Sequence, residues 1–289
     1  MEHFPRHWDV AEDRVQDPAG RTFRLRIWGW STSSAGQAAI AARRRLAEVV
    51  QKVRSGQPLG EGYYHRNPPR EEVLREIRTP EGDLIGLITR NSYGAQILNT
   101  DRILIADVDD PSRQARRREG GLLSRLFRRG RPEPQAQEED DPVLSRIEQF
   151  ARERTHLGVH VYQTAAGFRV LITGVHTPPD SEYATEILAA LASDPLYARL
   201  CAVHRNYRAR LTPKPWRSGM RSLALQWPWA DAQVEQEAAK WVDRYEQRTA
   251  DYAVCRLIRR GDTAPSPAEA QVLQVHDEYV LGPADRPLA

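Results

Sequence analysis

Residues 102–110 read Arg102-Ile103-Leu104-Ile105-Ala106-Asp107-Val108-Asp109-Asp110. A short, nearly continuous apolar run that ends in acids predicts a buried strand with a polar end. Side chains two apart on a strand point the same way, so Asp107 and Asp109 project from one face. Two carboxylates held side by side repel, and a bound Mg²⁺ or Mn²⁺ relieves that repulsion. Two-metal phosphoryl transfer uses this geometry. The same acids would also serve simply to end the strand and turn the chain at Pro111.

Working outward, the upstream runs 84–89 and 95–98 are separated from each other and from 102–108 by turn chemistry at Asn91–Gly94 and Asn99–Asp101. Three closely linked strands predict an antiparallel meander. Before them, Arg70–Ile77 is expected as a short helix. Thr22–Trp30 alternates as a half-buried strand, and apolar residues from Ala35 to Val53 recur at helical spacing. Downstream, 111–141 crowds arginines and then acids without a sustained apolar period, and is expected as a flexible insertion. Pro142–Thr155 reads as a helix, 159–164 and 168–173 as a hairpin, and Tyr207–Leu211 as a strand. Helices are expected from Glu182, from Pro195, over most of 229–260 and over 268–280. The sum is an α+β fold, a mixed or antiparallel sheet with helices packed on it. One domain spans 1–260, and 261–289 forms a helical C-terminal extension.

The chain has 289 residues, 40% apolar and 28% charged, with a net charge of +3. No apolar run reaches about 18 residues, which argues against a membrane helix. The first ten residues, MEHFPRHWDV, hold no apolar leader, and two cysteines cannot build a disulfide scaffold. A cytoplasmic protein is the expectation.

Only three of the 42 basic residues are lysines: Lys52, Lys214 and Lys240. GC-rich codons alone give such a bias. One lysine nevertheless stands inside the densest basic stretch, Arg205-Asn-Tyr-Arg-Ala-Arg-Leu-Thr-Pro-Lys-Pro-Trp-Arg217. Arg208 and Arg210 share a strand face, Pro213 and Pro215 stiffen Lys214, and Arg217 follows. Phosphate contacts with stacking from Tyr207 or Trp216 would suit this composition, and so would an ordinary loop with a core Trp. Arg169 opens the second hairpin strand, placed to clamp a phosphate or to form a cross-strand salt bridge. Cys201 and His204 lack a second ligand pair, and His276-Asp277 reads as a dyad or a solvated helix face. The chain has no P-loop, Rossmann or zincin motif.

In order, Asp107/Asp109, the turn Thr164–Arg169 and the basic segment resemble the core of the archaeo-eukaryotic primase (primase-polymerase) superfamily. That family carries Asp-x-Asp, then Ser-x-His, then a single Asp, then an Arg/Lys-rich nucleotide-contacting segment. Here the His is missing, Arg169 stands nearest its place, and Asp194 is the only candidate for the later Asp. The segment through Arg217 also looks like an uncharacterised bacterial protein family. The resemblance implies an RRM-like, primase-like core with Asp107, Asp109 and Arg169 as catalytic residues. It implies Mg²⁺ or Mn²⁺ on the two aspartates, and phosphate binding by Arg208, Arg210, Lys214 and Arg217. The function implied is metal-dependent phosphoryl or nucleotidyl transfer on nucleotides or nucleic acid. A non-catalytic nucleotide- or nucleic-acid-binding module of the same fold is the alternative.

Overall fold

In the computed structural model, which describes residues 1, 3–58, 67–113 and 141–289, the strand around Ile105 lies between two groups of elements. It is β6 (Leu104–Asp109) of a four-stranded sheet, which also holds β7 (Gly158–Thr164), β8 (Gly167–Thr173) and β10 (Cys255–Arg259) in the order β10-β7-β8-β6. A second sheet runs β3-β4-β5-β9, from β3 (Glu72–Arg78), β4 (Leu84–Arg90), β5 (Gln96–Thr100) and β9 (Tyr207–Arg210). β1 (His7–Gln16) and β2 (Thr22–Ser31) form a hairpin against α1 (Ala35–Arg54), with its own small core of Val15, Leu25, Val50 and Val53. Every strand pairing within the sheets is antiparallel, and the fold is α+β.

The expected meander breaks at β6. β4 and β5 pair as read, but β6 leaves them for β8. Most of the expected helix at 70–77 is instead strand β3, because β4 offers Glu72–Arg78 an antiparallel ladder partner. The tertiary ladder overrides a modest local helix preference. The stretch 229–260 is not one helix. It divides into α5 (Ala232–Thr249) and β10, whose Cys255, Arg256 and Leu257 pair with Thr164, Gln163 and Tyr162. Residues 114–140 of the expected insertion lie outside the described residues.

Local chemistry sets the helices. α2 (Pro142–Glu153) starts where Asp141 accepts from the N–H groups of Val143 and Leu144, and buries Val143, Leu144, Ile147, Phe150 and Ala151. α3 (Glu182–Ala190) and α4 (Pro195–His204) follow β8. α6 (Pro267–Val280) opens on a capping box of Ser266 and Glu269, and Glu269 also accepts from the Gly174 N–H at 2.6 Å. Its Val272, Leu273, Val275 and Val280 join the main core, so the expected C-terminal extension carries part of that core. Among the described residues, no helix is long and apolar enough to cross a membrane.

From β6 to β9 the chain order is β-α-β-β-α-α-β, with β8 between β6 and β7. β9 lies on the free side of β6, across the N-terminal part of α4. The Tyr197 hydroxyl donates to the Ile105 carbonyl at 2.9 Å and accepts from the Arg208 N–H at 3.3 Å. Ser193 Oγ and the Asp194 N–H both donate to the Asp107 carbonyl at 3.1 Å. β6 is thereby fixed on both edges, and Tyr197 links it to β9 of the second sheet.

Candidate phosphate-binding site

Register decides what shares a face with the aspartates. Asp107 stands opposite Arg169 and Asp109 opposite Gly167, while Arg169 in turn stands opposite Tyr162 on β7. Directly paired residues project to the same side of a sheet. Both aspartates are exposed. Asp110 is buried and serves another end: it accepts from Ser112, and with Asp141 it pairs Arg113 at 2.9 and 3.1 Å.

Lys214 lies within the electrostatic reach of Asp107, Asp109, Arg210 and Arg217. Burial pushes its ammonium below the ordinary lysine range, Arg210 and Arg217 push the same way, and the two aspartates oppose them. Its Nζ is 5.7 Å from the centroid of Trp216, which is 52% exposed and meets Tyr93 edge-on at 5.3 Å. Arg210 donates to the Thr212 carbonyl at 2.8 Å; burial and then Arg169 lower its pKa. The charges read apart at 107–109 and 210–217 therefore act on one another.

The other candidates separate. Arg169 is buried, and its Nη1 donates to the Arg210 carbonyl at 2.9 Å and lies 3.3 Å from His276 Nε2. Arg208 turns to Glu71 and holds both of its carboxylate oxygens, at 2.6 and 2.8 Å. Tyr207 is buried and unavailable for stacking, so of the two aromatics Trp216 alone offers an open ring. Cys201 is buried, its thiol pushed up to about 11 by burial, and His204 Nε2 meets the Asn67 carbonyl. His276 is fully buried rather than on a solvated face, and its Nδ1 lies 3.0 Å from Asp277. The sequence carries a signal for this: His276 falls on the α6 stripe of Val272 and Val280 at four-residue spacing.

Asp107 and Asp109 offer hard oxygen donors of the kind Mg²⁺ and Mn²⁺ take. Mg²⁺ commonly binds one or two carboxylates and completes its shell with water and substrate phosphate. Among the described residues no group of three or more His, Cys, Asp and Glu gathers to hold a metal. Two carboxylates alone would leave most of such a cation's shell to water or to a ligand. A cavity of about 560 Å³ lies elsewhere, lined by His160, Arg260, Leu273, Gln274, Asp277 and Glu278. No family model matches the chain, and neither a curated protein nor a solved structure matches it.

Proposed function

We propose that the protein binds the phosphates of a nucleotide or nucleic acid beside the end of β6, and that it carries out metal-dependent phosphoryl or nucleotidyl transfer there. What supports this reading is Lys214, whose ammonium lies 5.7 Å from the exposed Trp216 ring and within charge reach of Asp107, Asp109, Arg210 and Arg217. Lys214, Arg210 and Arg217 neutralise phosphate charge. Trp216 offers a face to a base. Asp107 and Asp109 would hold Mg²⁺ or Mn²⁺, which when bound polarises a phosphoryl oxygen and offsets its charge. The β-α-β-β-α-α-β order from β6 to β9, a β-α-β-β-α-β pattern with a second helix before its last strand, supports an RRM-like, primase-like core. The second reading, a non-catalytic binding module of the same fold, is favoured by the lack of a third acidic ligand among the described residues.

Calorimetry with inorganic tripolyphosphate, with and without Mn²⁺, tests the proposal. Tripolyphosphate is expected to bind at low salt, and Mn²⁺ to tighten it in the wild type but not in Asp107→Asn or Asp109→Asn. Binding that Mn²⁺ leaves unchanged in all three proteins points to the module. No binding at all overturns both readings.

A further inference from the structure

We infer that His276 and Asp277 are positioning residues for the phosphate site, acting through Arg169 on the strand end that presents Arg210 and Lys214. This inference rests on the function proposed above for that site.

The protonation pattern follows from the donors. Arg169 Nη1 carries two hydrogens. One goes to the Arg210 carbonyl at 2.9 Å, and the other is shared between His276 Nε2 at 3.3 Å and Cys255 Sγ at 3.7 Å. A guanidinium has only donors, so Nε2 must offer a lone pair. The imidazole proton then sits on Nδ1 and is donated to Asp277 Oδ1 at 3.0 Å. Asp277 Oδ2 is held by Arg260 at 2.5 Å, and Arg260 also donates to the Tyr162 hydroxyl at 3.2 Å. The Tyr162 ring packs edge-on against His276 with centroids 4.8 Å apart. Each member therefore has one role that the next depends on.

The relay ends at the phosphate site. Arg169 is 4% exposed and is held by the Arg210 carbonyl, His276 and Cys255 Sγ, the last at 3.7 Å. Burial keeps that thiol up, so Cys255 stays neutral. Neutral acceptors fix the guanidinium without cancelling its charge, and that charge stands beside Arg210. The Arg210 carbonyl is the last of β9, four residues before Lys214. Loss of the Arg169 contact would release the backbone from which Arg210 and Lys214 project.

Two substitutions split the imidazole into halves. His276→Gln can put an acceptor where Nε2 was, and His276→Asn can put a donor where Nδ1 was. Each loses one buried hydrogen bond, so melting temperature is expected to fall similarly in both. Tripolyphosphate affinity is expected to separate them. Asn should weaken it about tenfold, the value of one hydrogen bond to a charged group, and Gln should stay within about threefold. Nitrogen NMR of the wild-type imidazole should show the proton on Nδ1. Equal affinities for the Gln and Asn variants, or a proton on Nε2 in the wild type, would overturn the relay and leave the phosphate site standing. A wild type that binds no tripolyphosphate would overturn the site and the relay together.

Discussion

Arg208 closes on Glu71 across the second sheet, 137 residues away in sequence, with one guanidinium nitrogen 2.6 and 2.8 Å from the two carboxylate oxygens. Thr89 donates to the same carboxylate at 2.6 Å, Asn99 donates to Thr89, and Asn206 donates to Asn99. Glu71, Thr89, Asn99 and Asn206 are buried and Arg208 is half-buried. Removing one member of a buried pair leaves the other charge uncompensated, at a cost of roughly 3 kcal/mol or more. Arg208→Ala and Glu71→Gln should therefore shift the urea midpoint well downward. In Arg208→Ala, the surviving folded protein should bind tripolyphosphate nearly as the wild type does. An Arg208→Ala protein of normal stability that has lost phosphate binding would show Arg208 to be a ligand.

Gly167 faces Asp109 across the β6–β8 ladder, so closely that an added Cβ would come within 2.1 Å of the Val108 carbonyl and 2.8 Å of the Asp110 N–H. Both are backbone atoms that cannot swing aside. Gly167→Ala should separate the strand ends, lower the melting temperature and displace Asp109. The Mn²⁺-dependent part of tripolyphosphate binding should fall more than the Mn²⁺-independent part, as titrations with and without the metal would show.

The strand 104–109 and the hairpin 158–173 were legible because their apolar runs and bounding turns are local signals. So was α2, where Asp141, Pro142 and a five-residue apolar stripe agree. The basic segment was legible as a composition but not as a geometry. Arg208 and Arg210 alternate identically along β9, and nothing local says that one turns to Glu71 while the other sits beside Arg169 and Lys214. β3 and β10 were missed for the same reason: each becomes a strand because a partner ladder is present. The placement of His276 required knowing that α6 lies over the face shared by Tyr162 and Arg169.

His276 also carries a pH signature. Burial lowers its pKa to about 4, and Arg169 adds to that, against the opposing pull of Asp277. The ordinary value is near 6.5, so between these limits the unfolded chain binds the proton that the folded chain refuses. Its contribution is fully present above pH 6.5 and is lost as pH falls toward 4, by a few kcal/mol at most. His160 and His204 are lowered by burial too and add to the same slope. Urea unfolding between pH 7 and 4.5 should thus show His276→Gln losing less stability than the wild type. Parallel slopes for the two proteins would mean that His276 titrates normally.

Lys214 sets the expected alkaline limit of binding. Its pKa is lowered by burial and by Arg210 and Arg217, so it loses its proton at a pH below the ordinary lysine value near 10.4. A phosphate ligand needs the charged form, and affinity should therefore fall as pH rises through that lowered value. Arginine stays charged throughout this range, so Lys214→Arg should bind with little pH dependence there. Asp107 and Asp109 favour the ammonium. Asp107→Asn should consequently move the fall in affinity to lower pH, while Lys214→Ala should bind weakly at every pH with a melting temperature near wild type. Tripolyphosphate titrations at constant ionic strength, from pH 7 upward, distinguish these four proteins, and ligand ionisation cancels in the comparison. If wild type and Lys214→Arg fall together, Lys214 is not the group that meets the phosphate.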